Sequence, residues 1–323
     1  MREAFADLQN TNNGTGIYKT GWTALNRMIQ GGFRPGETTV IGALQHKYKT
    51  GFTLSLFKQI ALYNKPLTTD VHKKPLLLRI SFEDDITLNL QFLYQSLKYD
   101  ETREPVNLKE VTADEMSAYV TSRLQVNGFH IKLLRVDPSQ WTYRNVCSKI
   151  IEFEAEGYNV ELLMVDYLTL LPTTGCINTG PAGNDLRDML RRMRNFCSAR
   201  RITFITPTQL STEAKQLTRS GIPEHKFVQE INEKGYFAGC KSLDNEADLI
   251  LYIHIAKHNR EAYLTVQRDK HRGQSVIPDK DKYFLLKFPS KMPIADDREG
   301  EDQSLSVLNV NITNANEDLF KLG

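Results

Sequence analysis

The 323-residue chain has little of what marks the simpler classes of protein. Its four cysteines, Cys147, Cys176, Cys197 and Cys240, form no CxxC pair and have no histidine at ligand spacing. That argues against a zinc site and suits a reducing compartment. No apolar run reaches the roughly 18 residues of a membrane-spanning helix, and the first residues lack the pattern of a secretory leader. These absences read as a soluble, cytoplasmic protein. The charge is nearly balanced at +2, so a nucleic-acid surface has to be a local patch. No internal repeat is present. With 40% hydrophobic residues, the chain can bury a sizeable core as one large domain or two small ones.

The chain is organised around residues 38–52, TTVIGALQHKYKTGF. A β-branched run leads through a loop into Lys49-Thr50 and an amphipathic segment, 50–63. Strand, loop, Lys-Thr and helix is the build of a phosphate-binding loop. There, backbone N–H groups and a helix N-terminus face an anion, a lysine reaches the outer phosphates and a threonine hydroxyl holds Mg²⁺. Tyr48 stands where such a loop has glycine, so GALQHKYKT alone fits a nucleotide site and a surface loop equally. Periodicity gives further strands at 75–81, 130–136, 160–166, 202–207, 248–255, 261–268 and 282–288. Helices are expected at 23–29, 86–97, 112–125, 143–156 and 185–200. This alternation, closed by a run of strands, predicts an α/β fold with a mostly parallel central sheet flanked by helices and an antiparallel edge. Residues 1–20 read as a linker that packs on a neighbouring subunit and 21–290 as the folded domain. Residues 291–323, acidic and poor in aromatics, read as a disordered tail. Residues 211–245 are too long and polar for an ordinary connection.

In an open parallel sheet, ligands sit beyond the carboxyl ends of the strands. Four polar signals fall there. Lys49 and Thr50 follow the first strand, and Glu83 follows PLLLRIS. Asp166 closes ELLMVD, where an acid can hold Mg²⁺ through water or cap a turn. Gln209 follows ITFITP, where it can sense a γ-phosphate or lie solvated. Glu83, beside Asp84 and Asp85, can activate water or cap the next helix. The joint occurrence in this order favours nucleotide binding.

TGWTALNRMIQGGFRPGETTVIGA, from residue 20 to 43, resembles the entry to the ATPase domain of DnaB-type replicative helicases. ISFEDD, MVDYLTLL, RRITFITPTQLS, NEADLILYI and QRDKHRGQS resemble later segments of the same family, so the likeness covers roughly residues 20–288. It implies a RecA-like P-loop core that binds ATP and Mg²⁺. Gly42, Lys47, Tyr48, Lys49, Thr50 and Asp166 would then contact the nucleotide, with Thr50 and Asp166 holding the metal. Glu83 matches the catalytic base and Gln209 the sensor. Lys270 and Arg272 match the Lys-x-Arg finger that reaches into a neighbouring subunit, on what reads as a hairpin tip. The resemblance further implies a homo-oligomeric ring, a hexamer, acting as a helicase on single-stranded DNA in replication. It suggests a phage-like source, hence a host cytoplasm, with the tail as a contact for other replication proteins. The chain departs from the family at Tyr48, whose ring is expected to face outward, and in lacking an N-terminal collar or primase domain. A bulky aromatic before the lysine also occurs in UvsX-type recombinases. The alternative is therefore a UvsX/RecA-like or accessory DNA-binding ATPase that forms filaments.

By position, two loops, 173–184 and 212–245, would face DNA. The second carries Lys215, Arg219, Lys226, Lys234 and Lys241, with Phe227, Tyr236 and Phe237 interleaved. Cations neutralise phosphates and aromatics can stack on bases. Arg187, Arg191, Arg192 and Arg194 are expected on a solvated or subunit-facing side of their helix.

Overall fold

The computed structural model describes residues 16–258 and 261–288. Its strands are β1 Thr38–Ala43, β2 Lys74–Ser81, β3 His130–Arg135, β4 Tyr158–Asp166, β5 Thr203–Gln209, β6 Leu249–His258, β7 Glu261–His271 and β8 Tyr283–Lys287. They form one sheet in the order β3-β2-β4-β5-β1-β6-β7-β8. The first six pair in parallel, and β7 and β8 add the antiparallel edge. The helices are α1 Thr23–Met28, α2 Lys49–Tyr63, α3 Ile86–Thr102, α4 Ala113–Leu124, α5 Tyr143–Ala155, α6 Asn184–Ala199, α7 Thr212–Leu217 and α8 Phe227–Glu230.

Successive strand residues point to opposite faces, and here both faces are covered. Ile41, Leu77, Leu162, Met164 and Ile205 pack with Phe52, Phe57, Leu93 and Val120 from α2, α3 and α4. Val40, Leu76, Leu78, Leu163, Val165 and Phe204 pack with Val146, Ile150, Met189 and Met193 from α5 and α6. Two-sided burial is why these strands read as continuous apolar runs. The same parity puts Arg79 and Asp166 on the face of Leu77 and Met164, on the adjacent strands β2 and β4.

Tertiary partners extend two elements beyond their sequence limits. α3 runs on to Thr102 because Asp100, in its last turn, accepts a 2.7 Å bond from the buried ammonium of Lys58 on α2. β7 continues to His271 by pairing with the start of β6. The end of the expected linker is built into the domain: Tyr18 bridges to Phe33, its hydroxyl donates to Glu161 at 2.6 Å, and Trp22 stacks on Phe52. The rest of that linker and the acidic tail lie outside the described residues. Residues 211–245 are shaped by α7, α8 and a bridge between Leu210 and Phe237. No described helix is long and apolar enough to cross a membrane.

Candidate active site

β1 carries the loop 44–48 to the carboxyl edge of the sheet, and α2 begins at Lys49. His46 and Tyr48 are left-handed, with φ of 58° and 73°. Left-handed residues in a turn swing successive N–H groups into an anion-binding nest, and the first N–H groups of α2 have no intrahelical acceptor. This backbone costs a non-glycine residue about 1–2 kcal/mol. At Tyr48 the offset is visible. Its ring folds back over the first turn of α2, meeting Phe288 edge-on at 5.2 Å and Phe92 at 6.4 Å. Gly51 makes the room, since a Cβ there would lie 2.3 Å from the ring. The expected outward ring is thus corrected: it packs on the domain's own apolar cluster, and Tyr48 can serve the loop only through its backbone.

Lys49 is buried, its ammonium 3.5 Å from the Leu44 carbonyl. Burial lowers its pKa, against the opposing pull of the Glu83 and Asp166 carboxylates. Glu83 stands exposed just beyond β2, its pKa raised by desolvation and then by the charge of Asp166, with Lys49 acting the other way. It does not cap α3. Asp85 does that, accepting from the Thr87 N–H at 2.7 Å, while Ser81 Oγ closes the turn on Asp84.

Asp166 ends β4, buried, and its Oδ2 accepts a 2.6 Å bond from Arg79 Nη2. Its Oδ1 is buried with no partner among the described residues. Mg²⁺ keeps several of its waters when protein-bound, and a buried acceptor left open beside Thr50 fits such a water. Sequence reasoning missed Arg79, which hides inside an apolar run. Its parity with Asp166 is the signal that would have found it.

Gln209 ends β5 opposite Ala43 and lines a cavity of about 430 Å³ together with Leu44, Gln45, His46 and Lys47. His254 on β6 also lines it, buried, with neither ring nitrogen partnered. Burial drives its pKa down to about 3, aided by the charge of Lys47. Lys47 itself donates to the Ile255 carbonyl at 3.3 Å. Gly42 lies within β1, where a Cβ would meet the Tyr252 ring at 2.7 Å, so packing is its visible requirement. A larger cavity of about 730 Å³, lined by Tyr18, Leu67, Glu161 and Arg201, lies at the opposite edge of the sheet and touches none of these side chains.

Lys270 and Arg272 are also at that opposite edge. Lys270 is still within β7 and donates to the Asp244 carbonyl at 2.8 Å, so the hairpin-tip placement holds only for Arg272, in the turn after it. Arg272 donates to the Asn245 carbonyl at 2.8 Å and remains 44% exposed. Their strand end pairs with Leu249, which pairs with Thr39. Five strand residues separate Thr39 from the loop, about 16 Å.

Lys215, Arg219, Lys226, Lys234 and Lys241 are all exposed, and Lys241 lies 3.7 Å from Glu213. The aromatics between them are not available for stacking as expected. Phe227 packs on His254 and Phe237 on Tyr252, both in the core, and Tyr236 is half-buried beside them. The α6 arginines are paired internally: Arg187 and Arg191 with Glu246, Arg192 with Asp188 and Arg194 with Asp248, at 2.7–2.8 Å.

A family model described as divergent DnaB-like ATPase matches residues 1–317. A search of curated proteins finds no match to the sequence. One solved structure, described as a DnaB-like replicative helicase and its interactions with primase, superposes with a TM-score of 0.59 at 16% identity. The match covers 85% of this chain and 62% of that one, so the chain spans less than two thirds of that protein. Another, the ATPase domain of a phage protein, superposes with a TM-score of 0.63 at 16% identity, covering 92% of this chain and 98% of that one. At that identity the two structures speak for the RecA-like fold alone.

Proposed function

This chain belongs to the divergent DnaB-like ATPase family, and from that premise we propose that it hydrolyses ATP to drive a hexameric ring along single-stranded DNA in replication. The observation that carries the reading is the cluster at the carboxyl edge, where Lys49, Glu83 and Asp166 sense one another's charge. Lys49 would exchange the Leu44 carbonyl for the outer phosphates, and the N–H groups of the loop and of α2 would cradle them. Mg²⁺, held by Thr50 and through water by Asp166, would offset charge on the phosphate oxygens. Glu83 would take the proton of the attacking water, and its raised pKa brings it nearer the range where a base works well. Gln209, on the cavity wall opposite the loop, would register the last phosphate.

The edge position of Lys270 and Arg272 supports a role in trans, because neither side chain can span the sheet to its own loop. A trans arginine is worth roughly 10³–10⁵ in rate in nucleotide hydrolases. The test is to mix two inactive variants, Lys49→Ala and Arg272→Ala. Interfaces that join an intact loop to an intact Arg272 should restore hydrolysis at concentrations where subunits assemble. Hydrolysis by Lys49→Ala alone, or no recovery although mixed oligomers form, would refute the proposal. Imaging the same samples with ATP and single-stranded DNA separates the motor, as closed rings, from a recombinase-like filament.

A further inference from the structure

Arg79 is a buried charged group that this reaction scheme leaves without a role. It interrupts the apolar strand β2 and makes three hydrogen bonds to three other elements. Nη2 donates to Asp166 Oδ2 on β4 at 2.6 Å, Nη1 to Thr53 Oγ1 on α2 at 3.0 Å, and Nε to Asn89 Oδ1 on α3 at 3.2 Å. Each of the two neutral partners leads one step further. Thr53 Oγ1 donates to the Thr50 carbonyl at 3.0 Å. Asn89 Nδ2 donates to the carbonyl of Asp85, two residues past Glu83, at 2.8 Å.

Neutralising Asp166 would need only the first of these bonds. A buried ion pair is also weak ground for stability, since apolar residues of similar volume often do as well. A planar guanidinium with five fixed donors supplies direction as well as charge. By holding Oδ2, the fork leaves Oδ1 as the open oxygen of Asp166. We propose that Arg79 is a positioning residue of the nucleotide site, fixing the Asp166 carboxylate, the Thr50 turn and the Glu83 turn relative to one another through its three-way fork. The proposal rests on the ATPase reading and adds to it a rigid link between the metal-side residues and the base.

Three variants of the full chain test it: Arg79→Lys, which keeps the charge without the fork, Thr53→Val and Asn89→Leu. The first measurement is binding of a fluorescent ATP analogue with EDTA and with Mg²⁺. Arg79→Lys should bind the metal-free nucleotide as the wild type does yet lose most of the tightening that Mg²⁺ brings, and Thr53→Val should need more Mg²⁺ for half-maximal tightening. The second is steady-state hydrolysis. Asn89→Leu should lower kcat roughly 10- to 100-fold with KM unchanged, as expected when a displaced group acts only in the transition state. Wild-type tightening in Arg79→Lys, or wild-type kcat in Asn89→Leu, overturns the link. If Arg79→Lys fails to fold, Thr53→Val and Asn89→Leu decide the matter, because both spare the Arg79–Asp166 pair. A wild-type protein that neither binds nor hydrolyses ATP removes the ATPase reading and the link with it. An active wild type with an equally active Asn89→Leu removes the link alone.

Discussion

Gly51→Ala should change sign as a mutation according to what stands at position 48. In the wild type, the new Cβ meets the Tyr48 ring at 2.3, 2.4 and 2.8 Å. Ring and helix cannot both keep their places, and overpacking of this kind costs about 1–3 kcal/mol. In a Tyr48→Gly background the obstacle is gone, and alanine in place of glycine near the start of α2 should stabilise by about 0.5–1 kcal/mol. The coupling between the two sites is therefore about 1.5–4 kcal/mol, read from a double-mutant cycle. Urea unfolding of the four proteins gives it directly, with nucleotide binding as a check that the loop survives. Tyr48→Gly alone balances a relieved left-handed backbone against the missing ring between Phe92 and Phe288, so its own sign decides nothing. Additive effects, or a stabilising Gly51→Ala in the wild type, would refute the account of how tyrosine occupies a glycine position.

Glu83→Gln should retain ATP binding and lose turnover by roughly 10²-fold or more. Because Glu83 acts ionised and its pKa is raised by burial and Asp166, the wild-type rate should fall with acid at a higher pH than an ordinary glutamate gives; a flat acid limb counts against it as the base. For His254, the folded pKa of about 3 lies far below its unfolded value of 6.5. The unfolded chain binds the extra proton, so this contribution to stability is complete above pH 6.5 and is lost as pH falls toward 3. A His254→Leu protein should show a shallower decline of the urea midpoint over that window, and an identical decline would exclude His254 as a source. Alanine at Lys215, Arg219 and Lys226 should lower the slope of log affinity for single-stranded DNA against log salt by about 0.7 for each phosphate that is no longer neutralised. A slope equal to the wild type's would remove them from the DNA surface.

The sequence by itself determined the layout of the chain. Strand and helix positions, the parallel core and its antiparallel edge follow from local periodicity, which depends only on neighbours along the chain. So does the placing of Lys49, Glu83, Asp166 and Gln209 at strand ends, because an apolar run that stops at a polar residue marks the edge of a buried sheet. What lies against what was settled by tertiary structure alone. Tyr48 and Phe288 are far apart in sequence, and nothing local says that Gly51 opens a seat for the ring between them. Phe227 and Phe237 look like stacking platforms until β6 supplies His254 and Tyr252 beneath them. Lys270 and Arg272 are distant from the loop because β7 runs antiparallel and ends at the other edge of the sheet. Arg79 reads as a flaw in an apolar strand. Only the pairing of β2 with β4, and the packing of α2 and α3 over both, turns it into the fork that joins three parts of the site.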